Sequence, residues 1–432
     1  MRLATAVLFI ATAASADTLT LKQALDTARA HQPALLQARA ATVAASARAD
    51  ETRAGLLPQV NLGASYTLKT NNLTPGSVTG IGGSSDGGTA IPTASTRVIT
   101  PMNVNVSVNQ LIWDFQTFWR WEASQKNAIA AEDQERAQLL STLATARVAY
   151  FNARAQKALV KVGHDTLDNQ QKHLAQAEGF VKAGTQPEIA LAQSKSAVAS
   201  AKVQVITAEN NYESAKATLN QAIGLERDTN YDVGDEGENA VADEDAAVEE
   251  LVTRAILARP ELAALENQVR AQELTIRATK GGYGPSVSLV GSASAGGTDV
   301  SALVGNFSAG IVLSWPLFQG WLTPSQVHEQ EANLDSLKAS TEVTRQQVRL
   351  QLTQGWLSVR AAKGTVSAAG EAEDAAKTQL KLAEGRYQAG AGSIIELGDA
   401  QVAYTQAAAT RVQAEYSLAT ARAQLLQALG QE

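Results

Sequence analysis

Alternating apolar and polar residues predict β-strands in both halves of the chain. In the first half, QVNLGASYTLK and TPMNVNVSVNQLIW place every second residue on an apolar face, and the second half repeats this pattern more weakly. We predict four strands, at about 58–70, 97–112, 285–296 and 305–316. The apolar positions are Val60, Leu62, Ala64, Tyr66, Leu68, Met102, Val104, Val106, Val108, Val287, Leu289, Ala293, Phe307, Ala309, Ile311, Leu313 and Trp315.

Two long segments predict α-helices. Residues 115–183 contain no Pro and are rich in Ala, Gln, Glu, Lys and Leu, so we predict one near-continuous helix of ~100 Å there. A second long helix is predicted at about 321–389, and shorter return helices at about 187–224 and 393–430. The many small Ala side chains favour helices packed side by side in a curved wall rather than around one bulky seam.

The chain contains the same arrangement twice, because several segments of the first half recur in the second. Each half has a helix, a Pro-marked break, two strands around a loop, a long helix, a Gly-marked reversal and a return helix. We assign the first repeat to 17–225, an acidic connector to 226–247 and the second repeat to 248–432. A charge run such as this connector is typical of a solvated surface. The recurring pairs are HQPALLQA (31–38) with ARPELAAL (258–265), GLLP (55–58) with GYGP (282–285), AEGFVKAGT (177–185) with AEGRYQAGA (383–391), and LNQAIG (219–224) with LLQALG (425–430).

The start of the chain has the pattern of a secretory signal peptide. Arg2 precedes a short apolar run and a small-x-small step, so we predict a signal at 1–16, cleaved between Ala16 and Asp17. The 432 residues are 45% hydrophobic, carry a formal net charge of −7 and include no Cys. This composition argues against disorder and against nucleic acid as a partner, and it excludes disulfides and thiolate metal sites.

The strands, rather than the helices, are the candidate membrane-spanning elements. No stretch after the signal approaches the ~18 apolar residues that a spanning helix needs, whereas strands of about ten residues are long enough to cross a bilayer when tilted. Four strands cannot close a barrel, and lipid tolerates no unpaired strand edge, so copies of the chain must share one barrel. A dimer is the minimum for about eight strands, and a trimer would give about twelve.

In this arrangement the chain resembles the TolC-type outer-membrane efflux family. The resemblance covers essentially all of the mature chain and rests on the doubled layout, GLLP and GYGP, WPLFQG at 315–320 and the two AEG-x-x-x-AG reversals. It implies a mainly α protein with a small β part: a homotrimer with a twelve-stranded outer-membrane barrel, four strands per chain, and a long periplasmic α-helical tunnel. It also implies an equatorial collar containing the acidic connector and the chain ends.

The function implied by the resemblance is a passive exit duct in the outer membrane of a Gram-negative bacterium. The duct would serve a tripartite efflux pump or a type I secretion system, with outer-membrane lipid around its barrel. A periplasmic adaptor (membrane fusion) protein would connect it to an inner-membrane transporter of RND, ABC or MFS type. The adaptor would contact the two reversals, where Gly takes the left-handed conformation that ends a helix. The contact candidates are Lys182, Ala183, Gly184, Thr185, Gln186, Gln388, Ala389, Gly390 and Ala391.

A gate at the same periplasmic tip is implied by residues just beyond the second reversal. Glu396 and Asp399 are three residues apart, which puts both carboxylates on one helix face. The resemblance implies that they face the channel, where threefold symmetry makes each a ring that favours cations and can bind a blocking metal ion. Tyr387 matches a Tyr that helps to close the entrance. Gly392 and Ala190 depart from the family pattern, which has Arg and Asp there.

Other functional classes receive little support from the sequence. GSSDG around Ser85 fits G-x-S-x-G but lacks the strand-turn-helix context of a nucleophile elbow, so we expect no enzyme activity. The four His residues lack metal-ligand spacing, and no phosphate-binding loop is present, so we expect no cofactor and place the energy source in a partner. The main alternative is a soluble periplasmic coiled-coil scaffold without a pore; an envelope hydrolase built on Ser85 is a third hypothesis.

Overall fold

The computed structural model describes residues 18–67, 69–71, 97–99, 102–226, 230–237, 239–242, 244–297, 301 and 303–432. The predicted signal segment, its cleavage step at Ala16 and Asp17, and the Ser85 motif lie outside these residues. The described part is mainly helical with a small β part, so the predicted fold class is confirmed. No helix in it is both long enough and apolar enough to span a lipid bilayer.

Eight helices occupy most of the described residues. They are α1 (Leu21–His31), α2 (Pro33–Ala54), α3 (Phe115–Lys182), α4 (Glu188–Ile223), α5 (Val248–Ala258), α6 (Pro260–Gly281), α7 (Leu322–Gln388) and α8 (Ile394–Leu429). The sequence predicts one helix before the strands of each half, whereas the structure has two. Pro33 and Pro260 explain this difference, because Pro cannot donate a helical hydrogen bond but fits the first turn of a new helix.

Specific capping interactions fix several helix ends. At the start of α1, the Thr20 hydroxyl accepts from the Gln23 N–H, and the Gln23 side chain accepts from the Thr20 N–H. Gly224 ends α4 and Gly430 ends α8, with φ of +74° and +72°. A Cβ on Gly224 would lie 2.6 Å from the carbonyl oxygen of His31. Glycine at 224 therefore permits both the left-handed backbone and its close approach to α1.

The strands in the described residues form one four-stranded antiparallel sheet and two short two-stranded sheets. The large sheet has the order β2-β5-β7-β8, the parallel pair is β1-β6, and the third pair is β3-β4. The strand bounds are β1 (Thr18–Leu19), β2 (Gln59–Tyr66), β3 (Lys69–Asn71), β4 (Arg97–Ile99), β5 (Met102–Trp113), β6 (Asp232–Val233), β7 (Ser286–Gly297) and β8 (Val304–Ser314). The central pair, β5 and β7, joins strands from the two halves of the chain.

The register of the large sheet places like residues side by side. Residues directly opposite each other in antiparallel strands point to the same face, so one row identifies one face. The two adjacent rows nearest the middle differ sharply in polarity. The apolar row contains Leu62, Val106, Ala293 and Phe307, and the polar row contains Asn61, Ser107, Ser292 and Ser308. Leu62 and Phe307 are 75% and 79% exposed, so the apolar face is uncovered in the single chain.

The described residues divide into two compact units. The smaller unit runs from Ala44 to Ala128 and from Asn267 to Leu337 and contains the large sheet. The larger unit contains the remaining helical residues and three hydrophobic clusters. One cluster surrounds Tyr150 and Phe151, a second surrounds Leu352 and Leu425, and the third, here called the tip cluster, is Leu380, Ala383, Tyr387, Leu397 and Ala400.

Candidate functional site

The reversal between α3 and α4 has the geometry that ends a helix with glycine. Gly184 has a φ of +72°, which confirms the expected left-handed conformation. Its N–H donates to the Val181 carbonyl at 3.0 Å, and the Thr185 N–H and hydroxyl both donate to the Phe180 carbonyl at 3.0 Å. These bonds satisfy carbonyl groups that the last turn of α3 would leave unpaired. This turn, Lys182–Gln186, is therefore well ordered, and most of its side chains are exposed to solvent. We call it the α3–α4 knuckle.

The reversal between α7 and α8 repeats this geometry. Gly390 has a φ of +70°, its N–H donates to the Tyr387 carbonyl at 3.0 Å, and the Ala391 N–H donates to the Arg386 carbonyl at 2.9 Å. Of the nine predicted adaptor contacts at the two reversals, Gln186 is half-buried and the other eight are exposed. Their exposure leaves them accessible to a partner, and the contact itself stays a prediction.

Tyr387 is the central side chain of the tip cluster. It is fully buried on α7, its ring meets Phe180 of α3 edge to face at a centroid distance of 5.5 Å, and its hydroxyl donates to Gln186 Oε1 at 3.1 Å. Burial raises the pKa of Tyr387 above its ordinary value of 10, against a smaller lowering by Gln186, so the phenol stays protonated at neutral pH. The residue links α7 to the knuckle after α3 by packing and by one hydrogen bond.

The two predicted gate acids lie in the first two turns of α8 but in different surroundings. Glu396 forms an ion pair with Arg386 of α7 at 3.0 Å, and its backbone N–H donates to the capping hydroxyl of Ser393 at 3.1 Å. Asp399 is exposed and, together with His173, lines a groove away from the Glu396–Arg386 ion pair. The structure therefore brings Glu396 to a cation and leaves Asp399 facing solvent.

The two departures from the family pattern have a structural explanation. A Cβ on Gly392 would lie 3.0 Å from the Tyr387 nitrogen and 3.1 Å from the Arg386 carbonyl carbon, so a long side chain would force the chain apart. Ala190 is buried, and its carbonyl accepts the Ser194 hydroxyl at 3.0 Å. Arg386 supplies a cation beside Glu396 from another position, while Gln186 supplies a hydrogen-bond acceptor for Tyr387.

Most described residues of the acidic connector are exposed, as its composition favours, but Glu244 is an exception. Glu244 is buried and accepts from Arg422 at 2.9 Å, and the Lys363 ammonium lies 2.8 Å from it. Burial opposes ionisation of Glu244, but the hydrogen bonds from Arg422, Lys363 and the Val241 N–H outweigh it and lower the pKa to about 2. The connector is therefore fastened to α7 and α8 by charge.

A second fastening lies at the other end of the connector. The Lys157 ammonium lies 2.8 Å from Asp232 and 3.3 Å from Asp235, and the Tyr212 hydroxyl donates to Asp232 at 2.6 Å. Burial raises the pKa of Asp232, but the bonds from Lys157 and Tyr212 lower it further than burial raises it. These contacts tie the connector to α3 and α4, beside the short parallel pair of β1 and β6.

Several tip and connector residues escaped the sequence prediction. Arg386 stands directly before the predicted Tyr387, and Ser393 precedes Glu396 in the S-x-x-E pattern of a helix N-cap, so both carried a readable signal. His173 and Lys363 carried none, because the acids near them are distant in sequence: Glu384 on α7 for His173 and Glu244 in the connector for Lys363. Within the described ranges, no group of three His, Asp or Glu residues is arranged to hold a metal ion.

Comparison with known proteins places the chain in a family. The family model described as "Outer membrane efflux protein" matches residues 24–225 and 251–431. The outer membrane efflux protein BepC of Brucella suis biovar 1 (strain 1330) is 25% identical over 346 residues, covering 78% of this chain and 74% of BepC. The cation efflux system protein CusC of Escherichia coli (strain K12) is 23% identical over 317 residues, covering 72% of this chain and 68% of CusC.

Solved structures show the same fold. The outer membrane protein VceC of Vibrio cholerae superposes with a TM-score of 0.78 at 18% identity, covering 95% of this chain and 96% of VceC. The outer-membrane channel OprN superposes with a TM-score of 0.79 at 19% identity, covering 95% and 90%. The resemblance inferred from the repeated motifs is confirmed, and proteins of this family are channels rather than enzymes. The chain belongs to the outer membrane efflux protein family.

Proposed function

We propose that this protein is the outer-membrane exit duct of a tripartite efflux pump or type I secretion system, working as a homotrimer. Substrates delivered by an inner-membrane transporter through a periplasmic adaptor would pass outward through it passively. The observation that carries the proposal is the large sheet, whose apolar face is exposed and whose outer strands, β2 and β8, each have one partner among the described strands.

The sheet has the properties of one third of a membrane barrel. Its apolar row suits lipid and its polar row suits a water-filled interior, as in transmembrane barrels. The free edges of β2 and β8 present unpaired N–H and C=O groups that lipid cannot satisfy, so they require neighbouring strands. Pairing β8 of one copy with β2 of the next gives a closed ring, and three copies supply about twelve strands, within the usual size range.

Aromatic residues mark one end of this sheet. The register places the end of β5 and the start of β7 together, and β8 ends beside that start, so the connections to the helices leave the sheet at a common edge. Trp and Tyr favour the headgroup region of a bilayer, where an apolar ring and a polar group are both accommodated. This edge would lie at the periplasmic membrane surface. Its exposed aromatic residues are Trp113, Phe115, Phe118, Tyr283, Trp315, Phe318 and Trp321.

The relatives support the transport role. BepC is named an outer membrane efflux protein and CusC a cation efflux system protein, and their matches cover more than two thirds of each protein. The two knuckles at the ends of α3 and α7 offer an adaptor a rigid, repeated surface: six copies in a trimer. We propose that the adaptor contacts the exposed residues on both, including Lys182, Thr185 and Gln388.

The gate that we propose is the packed helix ends at this tip. Tyr387 and its bond to Gln186 hold α7 against the α3–α4 knuckle, and the Arg386–Glu396 pair holds α7 against α8. Opening would separate these contacts. Glu396 and Asp399 would form rings of negative charge around the entrance, with Arg386 offsetting part of the charge of the Glu396 ring.

A reconstitution experiment tests the duct. The purified full chain should migrate as a trimer in mild detergent, require detergent for extraction from membranes, and conduct ions in a planar bilayer. The Glu396→Gln, Asp399→Asn double variant should lose block by multivalent cations, because the carboxylate rings that bind them are gone. Glu342→Gln, which breaks an exposed pair with Arg345 on α7, is the matched control and should keep the block.

Two outcomes would contradict parts of this proposal. Release of the protein by osmotic shock, with no conductance after reconstitution, would instead support a soluble periplasmic scaffold. Conductance with unchanged cation block in the double variant would leave the duct in place and remove Glu396 and Asp399 from the pore.

A further inference from the structure

A buried histidine lies among all four helix ends at the tip. His173 of α3 is only 5% exposed. It lines a groove together with Ser194 of α4 and with Leu397 and Asp399 of α8, and its Nε2 lies 3.8 Å from Glu384 Oε1 of α7. One imidazole therefore touches or faces each helix that the proposed gate would have to move.

The imidazole is poorly satisfied in this position. Among the described residues, neither Nδ1 nor Nε2 of His173 has a hydrogen-bond partner of good geometry, and both atoms are shielded from solvent. A buried polar atom without a partner costs free energy that water would restore. The ring is therefore held by packing against its neighbours rather than by hydrogen bonds.

The charged groups around His173 influence how readily its imidazole is protonated. Glu384 of α7 and Asp399 of α8 are acidic, Lys172 is the neighbouring cation on α3, and the groove residues from α4 are not titratable. Burial lowers the pKa of His173 below 6.5, Glu384 and Gln176 raise it by less, and Lys172 lowers it slightly. The ring is therefore neutral at pH 7, and the closed packing disfavours the imidazolium.

We propose that His173 is a proton-operated release for the tip: protonation of its imidazole loosens the packing of α3, α4, α7 and α8 and favours the open arrangement. In an open tip the ring is hydrated, so its pKa returns toward 6.5 and exceeds that of the closed tip. The direction of the pH effect follows from the linkage between proton binding and opening. The closed packing is fully stable above about pH 6.5 and is weakened as the pH falls toward the closed-state pKa, because the open state binds the proton more tightly.

Amide hydrogen exchange of the full chain in detergent tests this release. The probes are the first turns of α8 and the last turns of α3, measured between pH 7.5 and 5.5 and corrected for intrinsic exchange rates. We expect the opening constant to rise below pH ~6.5, by up to about tenfold per pH unit between the open and closed pKa values. His173→Gln, which keeps a neutral side chain of similar length, should remove this pH dependence.

Two further variants sharpen the test. His164→Gln is the matched control on the same helix, because His164 is exposed and pairs with Glu209, and it should keep the full pH dependence. Glu384→Gln removes the acid nearest the ring and lowers the closed-state pKa further, so the rise should continue to lower pH than in the native chain. A His173→Gln protein that keeps the native pH dependence, or a native protein with none, would overturn the proposal.

The effect on transport rests on the proposed function, so a parallel conductance measurement tests the duct and the proton-operated release separately. In a planar bilayer, the open probability of the native channel should increase over the same pH window and that of His173→Gln should not. A chain that forms no channel but shows the pH-dependent exchange would refute the duct and support the release. A chain that forms a channel but whose tip amides exchange independently of pH would support the duct and refute the release.

Discussion

The buried connector acid Glu244 provides the sharpest stability prediction. Its side chain is 5% exposed and lies 2.9 Å from Arg422 and 2.8 Å from Lys363. Replacement with Gln removes the negative charge but keeps the shape, so Arg422 then faces a neutral amide, while Lys363 keeps its ion pair with Asp245 at 2.7 Å. Breaking a buried pair by removing one partner is strongly destabilising, because the remaining charge is uncompensated.

The magnitude follows from the lowered pKa of Glu244. A fall from 4.5 to about 2 corresponds to roughly 3 kcal/mol of stabilisation by the ionised form, at about 1.4 kcal/mol per unit. Because the folded pKa lies below the unfolded one, this contribution is present above pH ~4.5 and is lost as the pH falls toward 2. We therefore expect Glu244→Gln to lower the local free energy of unfolding by about 3 kcal/mol at pH 7.

The assay is amide hydrogen exchange in the connector and the start of α5. At pH 7 the Glu244→Gln protein should exchange these amides roughly a hundredfold faster, the equivalent of about 3 kcal/mol. The control is Glu249→Gln, which breaks an exposed pair with Arg349 and should cost about 1 kcal/mol or less. Exchange rates within about threefold of that control would refute the reasoning, since they would reduce the buried pair to the value of a surface one.

Three further pairs of substitutions test the sheet, the tip and the caps. Leu62→Lys should impair assembly in lipid by about 2–4 kcal/mol near the bilayer centre, whereas Asn61→Lys on the polar face should be tolerated, as judged by trimer yield in reconstituted vesicles. Tyr387→Phe should cost about 1 kcal/mol for one hydrogen bond, and Tyr387→Ala about 3–5, measured by exchange at the tip and accompanied by a higher open probability. Gly184→Ala should cost about 1–2 kcal/mol for the left-handed backbone alone, and Gly224→Ala clearly more, because its Cβ also meets a carbonyl oxygen; the melting temperatures should rank accordingly.

Local sequence patterns predict most of the helices and strands. The structure has helix Phe115–Lys182 where the absence of Pro predicts a helix at about 115–183, and helix Leu322–Gln388 where the matching run of the second repeat predicts one at about 321–389. Those boundaries were readable because Gly ends a helix through its own backbone freedom, independently of distant residues. The alternating strands were readable for a similar reason, since one apolar face produces a period of two.

Contacts between distant parts of the chain cannot be predicted from local sequence patterns. The pairing of β5 with β7 depends on which strands meet, and an alternating pattern fits any neighbour equally well. The partners of Glu244 lie on α7 and α8, so the acidic run gave no sign that one of its members is buried. At the tip, the motif identified Tyr387 but not its partners Phe180 and Gln186, because those depend on how the helix ends pack.

The central position of β5 and β7 has a consequence for how the protein matures. Val106 of β5 pairs with Ala293 of β7, so the sheet cannot assemble until the second half of the chain has been synthesised. Such long-range pairing is slow, because a large loop must close before any contact stabilises it. During that interval the exposed apolar strands are prone to aggregation, so the first half of the sheet needs protection until its partner strand is available.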